Sequence, residues 1–116
     1  MTSSRPAEPS ADELAAFVEA LGHGRSQART AEQLADALGL PGGSENRKRR
    51  VRLLAEYASK SHLVAADNDG YYRVACADEV EQTIGRLTSQ AHRMLERART
   101  LRALADVEFV GQGRLF

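Results

Sequence analysis

The side chains of this chain that are best suited to bind a charged ligand are five basic residues within residues 47–52. They read Arg-Lys-Arg-Arg-Val-Arg, and Asn46 precedes them. An arginine can donate two hydrogen bonds to guanine, and an asparagine can pair with adenine, whereas lysines and peripheral arginines suit phosphates. Residues 44–62 carry six basic and two acidic groups, although the net charge of the chain is zero. This concentrated positive charge predicts a contact with nucleic acid.

A helical projection sorts the residues of this segment into two arcs. The arc that must face a core contains Arg50, Val51, Leu53, Leu54, Tyr57 and Ala58. The opposite arc contains Glu45, Lys48, Arg49, Arg52 and Glu56. We predict that DNA is contacted by Asn46, Arg47, Lys48, Arg49 and Arg52, with Arg73 adding a backbone contact from a later strand. Arg50, at the edge of the apolar arc, is expected to brace the fold.

The same helix has a second interpretation that involves no DNA. Glu45 stands four residues before Arg49, and Arg52 stands four residues before Glu56, so both pairs could bridge along a solvated helix. Five basic residues within six positions exceed what such pairing needs, which favours the nucleic-acid interpretation.

Helical and strand periodicities place this basic helix third in a series of elements. We predict helices over residues 11–21, 30–39, 44–60 and 78–105, and short strands over residues 62–66 and 71–75. Thr30 and Gln33 form a capping box, Ser44 caps the basic helix, and residues 23–29 form a polar loop. The strands flank a turn at residues 67–70, whose two aspartates are unfavourable beside phosphate.

This order predicts a mainly α fold of the winged helix-turn-helix class, with three helices, a two-stranded wing and a long C-terminal helix. The short, Gly-rich turn between the second and third helices suits a helix-turn-helix unit. We predict a disordered leader over residues 1–10, the winged domain over 11–76, the long helix over 77–106 and a flexible tail over 107–116.

Residues 30–104 also resemble a group of small winged-helix proteins common in phages and prophages. The shared features are the Arg-rich third helix, Gly70-Tyr71-Tyr72 at the second wing strand, an acidic start to the last helix and its Arg/Leu-rich composition. The resemblance implies a DNA-binding or replication-associated role.

The last helix carries an unbroken heptad pattern. Its seam consists of Val80, Ile84, Leu87, Ala91, Met94, Ala98, Leu101 and Ala105. Such a long seam predicts a coiled coil between two copies of the chain, and a homodimer would present two recognition helices. The alternative is a helix packed on its own domain.

The tail ends in Gln112-Gly113-Arg114-Leu115-Phe116. The spacing of Gln112, Leu115 and Phe116 resembles the short peptide by which bacterial proteins dock on the DNA polymerase sliding clamp. In that family the glutamine bonds the pocket rim, and the leucine and phenylalanine fill a hydrophobic hole. The sequence departs from the preferred pattern at Gly113, where leucine is favoured, and at Arg114, where serine or aspartate is favoured. The resemblance implies a clamp contact of modest affinity.

Catalysis and cofactor binding have no support in the sequence. No nucleophile elbow or Gly-rich phosphate loop is present, and three scattered histidines with the single Cys76 offer no metal-ligand spacing. Cys76 excludes an internal disulfide, and no run of 18 apolar residues occurs, so we expect a cytoplasmic protein.

The sequence therefore predicts a non-enzymatic DNA-binding protein of a bacterium or phage, linked to replication through the sliding clamp. Two alternatives stay open. One is a dimeric transcriptional regulator without a clamp contact, and the other is a protein-interaction module of the replisome that does not bind DNA.

Overall fold

The computed structural model describes residues 7–110, and this part of the chain is mainly helical. Its elements in chain order are α1 (Ala11–Ala20), β1 (Gly22–His23), a 3₁₀ turn (Arg25–Gln27), α2 (Ala31–Leu38), α3 (Ser44–Ala58), β2 (Val64–Asp67), β3 (Gly70–Arg73) and α4 (Ala77–Glu108). The chain divides into two compact units, Met1–Val80 and Glu81–Phe116.

The first two helices begin at complete capping boxes. In α1 the Ser10 side chain accepts the Glu13 N–H while Glu13 accepts the Ser10 N–H, and Thr30 and Gln33 repeat this arrangement at α2, as predicted. The predicted cap of α3 was wrong by one residue. Gly43 is the N-cap, and Ser44 is the first residue of the helix.

The core of the first unit lies between α1, α2 and α3. Its buried cluster consists of Phe17, Val18, Leu21, Leu34, Ala35, Val51, Leu54 and Ala58. These residues recur at helical spacing, so each helix presents one apolar face to the other two. The inward arc predicted for the basic helix is confirmed at Val51, Leu54 and Ala58, whereas Leu53 and Tyr57 are half-buried.

A three-stranded sheet covers one side of this core, in the order β1-β3-β2. The antiparallel pair β2–β3 is the predicted hairpin, with Ala65 opposite Tyr72 and both side chains buried. The parallel strand β1, which pairs Gly22 with Tyr72, was not predicted. Its second residue, His23, falls at the start of the predicted polar loop, and Gly22 directly precedes that loop. The predicted core pair of the second strand is confirmed at Tyr72, while Val74 is half-buried.

Gly70 opens β3 at a place where the backbone of Arg29 approaches closely. Arg29 and Tyr71 exchange two backbone hydrogen bonds of 2.9 and 2.8 Å. A Cβ on Gly70 would lie 2.2 Å from the Arg29 carbonyl oxygen, and the φ of +126° disfavours any other residue. Each residue of the Gly-Tyr-Tyr sequence thus has a structural role. Gly70 allows the close approach of Arg29, Tyr71 forms the bridge with Arg29, and the ring of Tyr72 is buried.

Residues 7 and 8 contact α3, although they belong to the predicted disordered leader. An Arg50 guanidinium nitrogen donates to the Ala7 carbonyl, and the Tyr57 hydroxyl donates to Glu8 at 3.3 Å. Arg50 also bonds both Glu13 carboxylate oxygens, at 2.8 and 2.9 Å. The bracing role predicted for Arg50 is therefore confirmed, and the leader prediction fails for residues 7–10, which also include the α1 cap.

The Arg50–Glu13 pair makes the stability of the fold depend on pH. Hydrogen bonds from Arg50, followed by that from the Ser10 N–H, hold the pKa of Glu13 below its ordinary value of 4.5. The ionised carboxylate therefore contributes stability that is complete above pH 4.5 and is lost as the pH falls through the lowered folded-state pKa.

Glu13→Gln is expected to cost about 1 kcal/mol at pH 7, a figure kept small because the pair is partly exposed to solvent. Below the folded-state pKa the variant and the parent should be equally stable, because the parent then also lacks the charge. Urea unfolding across this pH range measures the difference, with Glu19→Gln as a control at an exposed position of α1. A difference that does not shrink in acid would contradict the assignment.

The long helix α4 runs three residues beyond the predicted end at Ala105, so residues 107 and 108 are helical rather than part of a flexible tail. All the predicted seam residues lie on this one helix. Within residues 7–110, Ile84, Leu87, Met94 and Leu101 are each more than half exposed. No helix of the described residues has both the length and the apolar character needed to cross a membrane.

Candidate nucleic-acid interface

A tight connection between α2 and α3 fixes the direction of the basic helix. Gly39 ends α2 in the left-handed conformation with φ +63°, and its N–H bonds the carbonyls of Ala35 and Asp36. The half-buried side chain of Leu40 then packs against the core. Pro41, Gly42 and Gly43 complete the turn, and α3 begins at Ser44.

Arg49 and Arg52 form the exposed centre of the outward face of α3. Both side chains are exposed, and neither has an ion-pair or hydrogen-bond partner within residues 7–110. Together with Leu53 and Glu56 they line a shallow, open surface depression. The alternative bridges Glu45–Arg49 and Arg52–Glu56 are not formed in the described part of the chain. Two guanidinium groups therefore remain available to a ligand.

Arg47, Lys48 and Asn46 are placed differently from this pair. Arg47 reaches back to α2, where its Nη2 donates to Asp36 Oδ1 at 2.6 Å, so its charge is already partnered. Lys48 Nζ lies 3.9 Å from Glu45 Oε2, which is a weak contact at a solvated surface. Asn46 is exposed at the first turn of α3. The sequence could not reveal the Arg47–Asp36 pair, because its two residues are 11 positions apart and lie on different helices.

Arg73 lies on β3, half-buried, and makes no ion pair in residues 7–110. The turn between β2 and β3 lies at the opposite end of this strand pair, and it is less acidic than its composition suggests. Arg25 Nε lies 2.6 Å from Asp67 Oδ2, and the two groups form an ion pair although the N–H does not point at that oxygen. The other carboxylate oxygen, Asp67 Oδ1, accepts the Asp69 N–H at 2.8 Å. Arg25 thus offsets one of the two aspartate charges, and Asp69 stays exposed.

Arg29 is a further basic residue, which the sequence patterns did not single out. It is exposed and directly precedes Thr30, the N-cap of α2, where backbone N–H groups favour anions. A basic residue immediately before a capping box was the available signal.

Tyr71 lies within the electrostatic influence of α3. Burial raises the pKa of the Tyr71 hydroxyl, and the positive charge of Arg52 partly opposes that shift. The charge of Arg52 on α3 therefore acts on a residue of β3, the strand that also carries Arg73.

Other chemistries have no assembled site in the described residues. They contain no group of three or more His, Cys, Asp and Glu side chains able to hold a metal ion. Cys76 is exposed and lies directly before α4. The predicted clamp-binding residues Gln112, Leu115 and Phe116 lie outside the described residues, so their prediction stands on sequence alone.

No protein-family model matches the chain, and no curated protein and no solved structure matches it either.

Proposed function

We propose that the chain is a winged helix-turn-helix protein that binds double-stranded DNA through α3. The observation that carries this proposal is the exposed pair Arg49 and Arg52, which lacks an acidic partner within residues 7–110. The inward side of the same helix is held to α1 through Arg50 and Glu13. Exposed guanidinium groups bind phosphates and base edges, and such a helix after a short turn suits the major groove. Asn46 at the start of α3 adds a side chain that can read adenine.

The arrangement of elements supports the same interpretation. A three-helix core followed by a hairpin is the order of a winged helix, in which the wing lies beside the recognition helix. Arg73 on β3 and Arg29 before α2 supply further positive charge, while the exposed Asp69 keeps the wing tip a weak contact. Arg47 is assigned to holding α2 and α3 together through Asp36.

We further propose that the protein acts in the cytoplasm of a bacterium or a phage-infected cell, as a non-enzymatic factor connected with DNA replication. Its α4 helix joins two copies, and its terminal Gln112, Leu115 and Phe116 dock on the sliding clamp. The clamp contact rests on the resemblance of the tail, and the exposed seam of α4 supports self-association.

Duplex binding measured over a range of salt concentrations tests the DNA contact. Arg49→Ala with Arg52→Ala removes two phosphate-neutralising charges, so the negative slope of log affinity against log salt should become shallower by about two units. This change in slope corresponds to a roughly 30-fold loss of affinity at 0.15 M salt. Thermal stability should barely change, because exposed charges contribute little.

The matched control is Arg93→Ala with Arg99→Ala, which removes the same charge from exposed positions of α4. This control variant should bind DNA like the parent. Equal binding by the α3 variant and the parent would show that α3 is not the contact surface, and it would favour a module that binds protein.

A further inference from the structure

The sizes of the side chains along the exposed seam of α4 indicate how two copies of the helix would pack together. Positions that recur every seven residues fall into two sets. One set is Ile84, Ala91, Ala98 and Ala105, and the other is Val80, Leu87, Met94 and Leu101. Since Leu87 follows Ile84 by three residues, the first set occupies position a of the heptad and the second occupies position d. The side chains at position a are alanines except at Ile84, whereas the side chains at position d are all larger than alanine.

A parallel pair would stack each seam position on itself. The layers at Ala91, Ala98 and Ala105 would then contain only two methyl groups, between layers of two leucines or two methionines. Such alternation leaves poorly filled layers, and unfilled space in a core costs stability. A parallel pair also sets position g against position e of the next heptad, which brings Arg97 beside Arg102 of the other copy, twice.

An antiparallel pair removes both defects. When Ala91 of one copy faces Met94 of the other, every a residue meets a d residue: Ile84 meets Leu101, Ala98 meets Leu87 and Ala105 meets Val80. Every alanine then lies opposite a large side chain, so small and large residues interdigitate along the seam. All eight seam positions are used in this register, and a shift of one heptad uses fewer.

The charges beside the seam favour the same register. In an antiparallel pair, position e meets position e of the other copy, which places Glu81 opposite Arg102 at both ends. The inner e positions bring Thr88 against the exposed Leu95, so that leucine gains apolar cover. Like charges meet in the parallel pair, and opposite charges meet in the antiparallel one.

We propose that two copies of the chain associate through α4 in antiparallel orientation, with Ala91 facing Met94 at the centre of the seam. This inference rests on the self-association in the proposed function and assigns its geometry. The two copies of Cys76, the residue before α4, then lie at opposite ends of the coil. At 1.5 Å per residue over 33 residues they are about 50 Å apart, against roughly 10–20 Å in a parallel pair.

A nitroxide spin label on the native Cys76 measures this separation, because the chain has no other cysteine and this one is exposed. A dipolar distance near 50 Å supports the antiparallel pair, and one below 25 Å overturns it. Cys76→Ser with Ser89→Cys moves the label to the outer side of α4 near the coil centre. There the distance should be within about 30 Å in either orientation. No dipolar coupling from either label, with a monomeric mass in light scattering, would refute self-association itself.

Charge reversal gives a second test with opposite signs for the two orientations. In the antiparallel pair, Glu81→Lys and Arg102→Glu should each raise the dimer Kd by about tenfold, and the double variant should restore the parent value. In the parallel pair, Arg102→Glu should instead lower the Kd by relieving the contact with Arg97, and Glu81→Lys should leave it unchanged. Analytical ultracentrifugation of the full chain measures all four Kd values, and the parallel pattern would overturn the inference.

Discussion

Phe17→Ala is expected to destabilise the first unit by about 3–5 kcal/mol. Phe17 is completely buried and lies in the cluster shared by α1, α2 and α3. Its removal takes away the transfer free energy of the ring and leaves a cavity that neighbours such as Val51 and Leu54 cannot fully close. Because small domains are stable by only about 5–15 kcal/mol, this change should consume a large part of the total.

Urea denaturation followed by circular dichroism measures the Phe17 effect. Phe109→Ala is the matched control, since it makes the same substitution at a residue that is 38% exposed, just after α4. The control should lose less than about 1 kcal/mol. Equal losses for the two variants would mean that the three-helix cluster is not the stabilising core of the first unit.

Replacing Leu115 and Phe116 together by alanine is expected to abolish binding to a bacterial sliding clamp. Burial of two such side chains offers roughly 3–6 kcal/mol before ordering costs, which is consistent with a micromolar Kd. Loss of both anchors should therefore leave no measurable complex. Gly113→Leu should tighten binding, because it restores the apolar residue favoured at that position. Titration calorimetry with the purified clamp gives the affinities.

The control for the tail is Val107→Ala with Val110→Ala, which removes apolar surface just before the motif. These side chains are 78% and 77% exposed, and the variant should bind the clamp like the parent. DNA binding and self-association should be unaffected in every tail variant. A parent chain that gives no signal at high micromolar clamp concentration would reject the docking proposal and favour a regulator without a clamp contact.

Local patterns predicted the helices and their buried faces because helix periodicity and capping are encoded within a few residues. Val51 and Leu54 were placed in the core by their spacing alone, and Thr30 with Gln33 located the start of α2. The strand β1 escaped prediction because two residues are too few to show a period. Its pairing with β3 also depends on residues 50 positions away.

The same limit applies to the candidate interface. The exposure of Arg49 and Arg52 follows from the helical projection, and so does the inward edge position of Arg50. The ion pair of Arg47 does not follow from the projection, because its partner Asp36 belongs to another helix. The two residues become neighbours only after the turn at Gly39 forms. Charge partners between elements are a product of tertiary structure, which a single sequence does not display.

The parallel pairing of β1 with β3 also constrains how the first unit folds. Helices α1, α2 and α3 pack on one another across separations of up to about 40 residues, as in the Arg50–Glu13 pair, whereas Gly22 pairs with Tyr72 only after a loop of 50 residues has closed. Long-range pairings of this kind slow folding, so we expect the helices to collapse first and the sheet to form last. During synthesis β1 cannot pair until β3 has been made, so Gly22 and His23 stay without their sheet partner until then.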